Sequence, residues 1–300
     1  MKNKIKKIIA LLLVSLTLTA CGGKGSSADE KKKIGFSIST LNNPFFVTMR
    51  ESAQKIADEN NVELIMLDAN DNTAKQLNDV EDLVQQKVDV LIVNPTDSDA
   101  IVTAVESANE ANIPVIAIDR SANGGKITSY IASDNIYGGK IAGEYIAEAI
   151  GETGKVIELE GIAGTSPTRD RGKGFNDAIA EYKDIEVIAR QTANFDRSEG
   201  LTVMENLLQA HSEIDAVFAH NDEMALGALE AIQASGRDII VVGFDATDDA
   251  RVAIENGSLA ATVEEQAGLM GETGIKIAVK IINGESVEEE IPLEVSLITN

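Results

Sequence analysis

The sequence predicts an α/β protein of two lobes, each a mostly parallel sheet flanked by helices, facing one another across a cleft. Two matched patterns carry this expectation. An apolar run, Asp89-Val-Leu-Ile-Val93, ends at Asn94, and a second, Pro114-Val-Ile-Ala-Ile118, ends at Asp119, 25 residues after the amide. Far downstream, Ile214-Asp-Ala-Val-Phe-Ala219 runs into His220-Asn221, and Ile239-Ile-Val-Val-Gly-Phe244 ends at Asp245, 24 residues after Asn221. Each pair brackets an amphipathic segment, so each half reads strand, helix, strand with a polar residue at both strand ends. Ligands of open α/β sheets bind just past the carboxyl ends of the strands. Two sheets that each offer an amide and a carboxylate there point to one shared site. The competing reading is that Asn and Asp merely start turns and cap helices; two matched pairs favour the site.

Taken in order, the chain opens with a targeting segment. Lys2, Lys4, Lys6 and Lys7 precede an apolar stretch from Ile8 to Ala20, too short to span a bilayer comfortably. It ends Leu18-Thr19-Ala20-Cys21, a lipobox in which Cys21 is the residue acylated after cleavage. Cys21 is the only cysteine, so no internal disulfide can form, and lipidation accounts for the odd thiol. Residues 1–20 are thus read as a lipoprotein signal peptide. Residues 21–33, rich in Gly, Ser and Lys with no apolar periodicity, read as a flexible tether.

Strands are expected at 34–39, 62–67, 88–93, 114–118 and 127–132, with helices such as Phe46 to Glu59 and Ala74 to Gln86 separating the first four. A second series begins near Lys155-Val-Ile-Glu-Leu159 and alternates through Val263. The helix after Asn221 is punctuated by Asp222 as N-cap and Gly236 just past its end. From Gly268 onward one more helix and a short strand at Pro292 to Ile298 complete the chain. Crossings between lobes are placed near Ser133-Asp134, Glu265 and Glu294. One lobe would then hold 34–133 plus 266–294, the other 134–265 plus 295–300.

Composition excludes several functions. Once residues 1–20 are removed, 22 basic residues face 49 acidic ones, a net charge of −27 over 280 residues. Such a body is repelled by nucleic acid, whose capture depends on neutralising phosphates. With His211 and His220 the only histidines and no Cys/His cluster, no metal site is expected. Asp71-Asn-Thr and Asp245-Ala-Thr-Asp-Asp249 do not fit a calcium loop. Gly161-Ile-Ala-Gly164 lacks the lysine of a P-loop, Gly172-Lys-Gly174 lacks the third glycine of a dinucleotide fingerprint, and no G-x-S-x-G elbow occurs. No cofactor and no catalytic residue are therefore assigned.

What remains is a set of planar polar side chains and aromatics. Asn43, Asn94 and Asn221 offer donors and an acceptor, Asp119 and Asp245 only accept, and Arg120 and Arg171 only donate. A sugar hydroxyl needs a partner of each kind, and the apolar C–H face of a sugar ring sits well on Phe45, Phe46 or Phe195. Two carboxylates beside two guanidiniums cancel locally, which favours a neutral ligand. The alternatives are plain core packing for the phenylalanines and a surface ion pair for Arg171.

Several blocks together resemble the pentose/hexose sugar-binding group of type I periplasmic-binding proteins, in its ribose-binding branch. They are Ser39-Thr-Leu-Asn-Asn-Pro-Phe-Phe46, Asn94-Pro-Thr-Asp97, Ile118-Asp-Arg120, Ala132-Ser-Asp-Asn135, Phe195-Asp-Arg197, His220-Asn-Asp-Glu-Met-Ala-Leu-Gly227 and Val242-Gly-Phe-Asp245. The resemblance spans residues 33–300. It implies two Rossmann-like lobes joined by a three-strand hinge and a sugar enclosed when they close. By position, Asn43, Phe45, Phe46, Asn94, Asp119 and Arg120 would serve from one lobe; Arg171, Phe195, Asn221 and Asp245 from the other. One position departs: Glu265, in Val263-Glu-Glu-Gln266, stands where the family usually has glutamine, which bears on ribose affinity and its pH dependence. The implied role is a monomeric lipoprotein, anchored outside the cell membrane through Cys21. It would hand D-ribose to the permease and ATPase subunits of an ABC importer. Autoinducer-2, allose, xylose or galactose stay open as ligands, and a chemoreceptor as a further partner. A sugar-responsive regulator would need an N-terminal helix-turn-helix where the lipobox stands. A glycosidase would need one protonated carboxyl, whereas the arginines are expected to hold both Asp119 and Asp245 ionised.

Overall fold

A computed structural model describes residues 31–300 of the 300-residue chain; the signal segment and Cys21 lie outside the described residues. Six strands form a first sheet: β1 (Lys33–Ile38), β2 (Glu63–Asp68), β3 (Val90–Val93), β4 (Val115–Ile118), β5 (Ser129–Ser133) and β11 (Glu290–Leu293). Their order is β11-β5-β4-β3-β1-β2, and every neighbouring pair is parallel. The central strands β3 and β4, Val90-Leu-Ile-Val93 and Val115-Ile-Ala-Ile118, are wholly apolar and wholly buried, as a parallel sheet covered on both faces requires. Helices α1 (Pro44–Glu59) and α9 (Ala267–Ile282) pack on one face, and α2 (Thr73–Gln85) and α3 (Val102–Glu110) on the other.

A second sheet repeats the plan with β6 (Thr153–Glu160), β7 (Asp184–Thr192), β8 (Ala216–Ala219), β9 (Ile240–Asp245), β10 (Ala261–Glu264) and β12 (Ser296–Thr299). Its order is β12-β10-β9-β8-β6-β7, the same winding as the first sheet, except that its last strand, β12, runs antiparallel. Helices α4 (Asn135–Ala149) and α5 (Ser166–Ile179) cover one face; α6 (Arg197–Ala210), α7 (Asp222–Ser235) and α8 (Asp248–Glu255) lie on the other side. The chain passes from first sheet to second after β5, back after β10, and over again between β11 and β12.

Three local expectations need correcting. The tail holds two strands, not one: Glu294 and Val295 separate β11 from β12, because each strand belongs to a different sheet. The end of the expected tether at residue 33 is corrected, since Lys33 already pairs in β1 and its N–H donates to Asp89; residues 21–30 of that expectation lie outside the described residues. The cap of α7 is Asn221, whose side chain accepts from the Met224 N–H at 3.0 Å. Asp222 lies one residue inside, buried, where it accepts from Thr262 Oγ1 at 2.6 Å and from the Thr247 N–H at 2.7 Å. The stop at Gly236 stands, in the left-handed conformation with φ 70°.

Candidate functional site

The loops leaving the carboxyl ends of both sheets meet around one space of about 250 Å³. Lobe-to-lobe hydrogen bonds flank it: the Ser98 N–H donates to Gly164 O at 3.0 Å, and the Ser121 N–H to Ser166 Oγ at 2.9 Å. The cleft is therefore closed. After β1, Asn43 caps α1 by accepting from the Phe45 N–H at 2.9 Å, and Pro44 occupies the first helical position, where its fixed φ suits the helix. Capping occupies the Asn43 oxygen, so its amide N–H groups remain for a ligand. Asn221 repeats the device at the start of α7, with one amide hydrogen already donated to the Phe195 carbonyl at 3.3 Å. The capping alternative and the site expectation thus describe the same two residues, and both present donors rather than donor and acceptor. Phe45 and Phe46, in the first turn of α1, meet edge to face with centroids 5.3 Å apart.

Asp119 follows β4 and Asp245 ends β9, and both adopt left-handed backbone, φ 62° and 111°. Phe195, which follows β7, does so too at φ 60°. Such conformations are costly for residues with a Cβ and concentrate at ligand sites. Phe195 closes over Gly161 so tightly that a Cβ there would overlap its ring. Arg120 lies between aromatic faces, its guanidinium 5.2 Å from the Phe46 centroid and 5.6 Å from that of Phe195.

Arg171 is held from five directions. Its Nε donates to Asn135 Oδ1 at 2.7 Å, and Nη1 donates to the His220 carbonyl at 2.6 Å and to Asp245 Oδ1 at 3.3 Å. Nη2 donates to Glu265 Oε2 at 2.5 Å, and the fork lies 3.8 Å over the Phe244 ring. Its helix is placed by an unusually close backbone approach of α4 and α5. A Cβ at Gly139 would strike the Arg171 carbonyl, and one at Gly174 the Ile136 carbonyl. The surface ion-pair alternative for Arg171 is thereby set aside; its side chain is 4 % exposed.

Ten of the eleven expected residues line the space: Asn43, Phe45, Phe46, Asp119, Arg120, Arg171, Phe195, Asn221, Asp245 and Glu265. Asn94 does not. It stands one layer back, donating to Asp119 Oδ2 at 3.0 Å and to Ile118 O at 3.1 Å while accepting from Ser39. Its expected role as a direct partner becomes one of fixing Asp119. Pro167, also in the lining, went unnoticed in the sequence; its place at the first turn of α5 was the available signal.

Electrostatics correct a further expectation. Burial pushes Asp119 up to about 6, helped by the charge of Glu265, against the pull of Arg120, Arg171 and Asn94. Burial likewise pushes Asp245 well above the carboxylate range; Arg171 opposes this, while Glu265, Asp222 and Asp119 add to it. The two arginines do not keep these carboxyls at their ordinary values, because three carboxylates crowd a dry site. Burial weakens the basicity of Arg120, whereas for Arg171 the neighbouring Glu265 and Asp245 outweigh burial and raise it. Among the described residues no group of His, Cys, Asp and Glu could hold a metal ion, and no helix is long and apolar enough to cross a membrane. The arrangement is fit to receive a flat, neutral, hydroxylated ring, with donors and acceptors around its edge and aromatic faces against its C–H surfaces.

The model of the periplasmic binding protein domain matches residues 34–286. The chain belongs to the periplasmic binding protein family. In this family setting it is 50% identical over 307 residues to the ribose import binding protein of Bacillus subtilis, covering 100% of this chain and 99% of that one. It is 49% identical over 297 residues to the ribose import binding protein of Escherichia coli, covering 99% and 98%. Among solved structures, an ABC transporter solute-binding protein from Bacillus halodurans with bound myo-inositol superposes with a TM-score of 0.86 at 38% identity, covering 90% of this chain and 94% of that one. The candidate site lies where the carboxyl ends of both sheets converge.

Proposed function

We propose that this protein is an extracytoplasmic solute-binding lipoprotein that captures D-ribose between two closing lobes and delivers it to the permease and ATPase subunits of an ABC importer. The observation that carries the reading is the space between the sheets, where Asn43, Arg120, Arg171 and Asn221 donate, Asp119, Asp245 and Glu265 accept, and Phe45, Phe46 and Phe195 supply flat apolar faces. Full-length similarity to two ribose import binding proteins supports ribose as the ligand.

The mechanism is an equilibrium between open and closed lobes. Residues 34–133 with 266–294 form one lobe, residues 134–265 with 295–300 the other, and the three crossings act as hinge strands. Sugar favours the closed form because only there do side chains of both lobes reach it. Asp119 and Asp245 accept hydroxyl hydrogens, the arginines and asparagines donate, and the rings grip the sugar faces. The reading contains no catalytic step, cofactor or metal. A monomer anchored to the outer face of the cell membrane through acylated Cys21 completes it.

The test is a thermal-shift panel of pentoses, hexoses and autoinducer-2 on residues 33–300, with ribose incubations followed for conversion. Ribose at about 100 times its dissociation constant stabilises by about 2.7 kcal/mol, a rise of on the order of 5 °C for a chain of this size. A shift with ribose and no conversion supports the reading. A shift with allose, xylose, galactose or autoinducer-2 but not with ribose refutes the ligand, and conversion of the sugar refutes the binding-only role. Mass spectrometry of membrane-extracted protein checks the diacylated Cys21.

A further inference from the structure

Five charged side chains surround the space between the lobes: the carboxyls of Asp119, Asp245 and Glu265, and the guanidiniums of Arg120 and Arg171. None is more than 7 % exposed. One negative charge is therefore in surplus. Arg171 is already shared between Asp245 and Glu265. The Nε of Arg120, 3.6 Å from Asp119, has no hydrogen-bond partner. Glu265 places Oε2 on Arg171, while its Oε1, equally buried, has none. A neutral sugar can donate hydrogen bonds to these oxygens, but it brings no charge to balance them.

The surroundings add no cation. Asp71, after β2, faces Arg120 and itself feels Asp196. Asp222 on α7 adds its field to Asp245. Tyr130 on β5 donates to the Asp119 carbonyl at 3.3 Å, with Asp170 of α5 in its field. The ring of His220 is turned onto Glu158 at 2.9 Å, and only its carbonyl faces the site. A buried carboxylate without a counter-charge is so costly that the group neutralises instead.

We propose that the cleft closes on its sugar with the uptake of one proton from solvent by the Asp119–Asp245 pair, and that the neighbouring Glu265, as the third carboxyl against two guanidiniums, promotes this uptake. The proposal rests on the ribose reading for its ligand. In the open form Asp119 and Asp245 face water and titrate as ordinary carboxylates, at about 4. In the closed form Asp119 stands at about 6, and Asp245 is raised well above its usual range. A group whose affinity for the proton rises on closure favours the closed form as pH falls. Ribose therefore binds more tightly in mild acid, by up to about tenfold per pH unit for one proton between those two values. With Glu265→Gln, two carboxylates face two guanidiniums and the surplus charge is gone, leaving burial to raise Asp119 and Asp245.

The experiment is calorimetric titration of residues 33–300 with ribose at pH 5.5, in two buffers of different ionisation enthalpy, repeated as a series of affinities from pH 5 to pH 7. More than about half a proton taken up per sugar is expected, with affinity falling as pH rises. Glu265→Gln should lower the uptake and make the pH series shallower. Glu264→Gln, one residue away on the Arg251 ion pair, should behave as the parent. Ribose heat without proton uptake in the parent, or with equal uptake in parent and Glu265→Gln, overturns the proposal and leaves the ribose reading standing. Absence of ribose heat at every pH overturns the ribose reading and the proposal with it.

Discussion

Replacing Asp245 with alanine should separate sugar affinity from fold stability. The carboxyl is 5 % exposed, and its contact with Arg171 is long, 3.3 Å from Oδ1 to Nη1. The shorter partner of that arginine is Glu265, at 2.5 Å. Removing Asp245 thus leaves Arg171 held by Glu265, Asn135 and the His220 carbonyl. It also relieves crowding: the Asp245 carboxyl is raised well above its ordinary range, so at neutral pH its charge works against the closed fold. The melting temperature of the sugar-free protein should stay level or rise. Sugar hydroxyls lose a buried acceptor, and a buried donor left unpaired costs about 1–3 kcal/mol. The dissociation constant for ribose should weaken roughly 5- to 150-fold, at about 1.4 kcal/mol per tenfold. Calorimetric titration and a melting curve on the same preparation read both quantities. An affinity within threefold of the parent would refute the assignment of Asp245 to the ligand. A collapse in sugar-free stability would refute the charge-crowding account.

Other substitutions probe the scaffold behind the site. Asn94→Ala strips Asp119 of one donor and leaves the Ser39 N–H without its acceptor; a loss of about 1–3 kcal/mol in chemical denaturation is expected, with weaker ribose binding at neutral pH. Gly139→Val drives a side chain into the Arg171 carbonyl; overpacking of this kind costs about 3 kcal/mol and should lower the melting point by on the order of 8 °C. Glu158 is held below its usual range: burial alone would raise it, but His220, Asn176 and Arg190 outweigh burial. Its contribution is present above the ordinary carboxylate value and fades as pH falls through the lowered folded value. Glu158→Gln should therefore melt below the parent at pH 7, with the gap closing under about pH 4 in a pH series of melting curves.

Much of the architecture was legible because the strand ends carry their own punctuation. Wholly apolar runs such as Val90-Leu-Ile-Val93 and Val115-Ile-Ala-Ile118 can sit only in the middle of a covered sheet, and the polar residue that follows each marks the carboxyl edge. The residues at that edge were accordingly found together. What escaped was anything decided by depth or by crowding. Asn94 and Asp119 look alike in the sequence, yet one stands behind the other, because the Asn94 amide is spent on Asp119 Oδ2 and the Ile118 carbonyl of the neighbouring strand. Asn221 and Asp222 are equally good caps; the choice falls to Asn221 because Thr262 and Thr247 claim the aspartate from strands and loops distant in sequence. The upward shift of Asp119 and Asp245 escapes a count of nearby arginines, which omits the water lost on burial and the third carboxylate, Glu265. The division of the tail into β11 and β12 depends on which sheet each joins, and a periodicity of two cannot report that.

The left-handed backbone at Asp119, Phe195 and Asp245 bears on how this pocket can drift over generations. At those three positions most side chains with a branched Cβ are shut out before they ever meet a ligand. Single-step change there is confined chiefly to asparagine, glycine and their like, which keep the turn but alter the chemistry abruptly. Asn43, Phe45, Phe46, Arg171 and Glu265 stand on backbone with negative φ and can vary in small steps. Lineages that shift taste from one sugar to another should therefore accumulate their gradual substitutions in the first turn of α1, on α5 and at the crossing after β10. The three turn residues should change rarely, and in jumps.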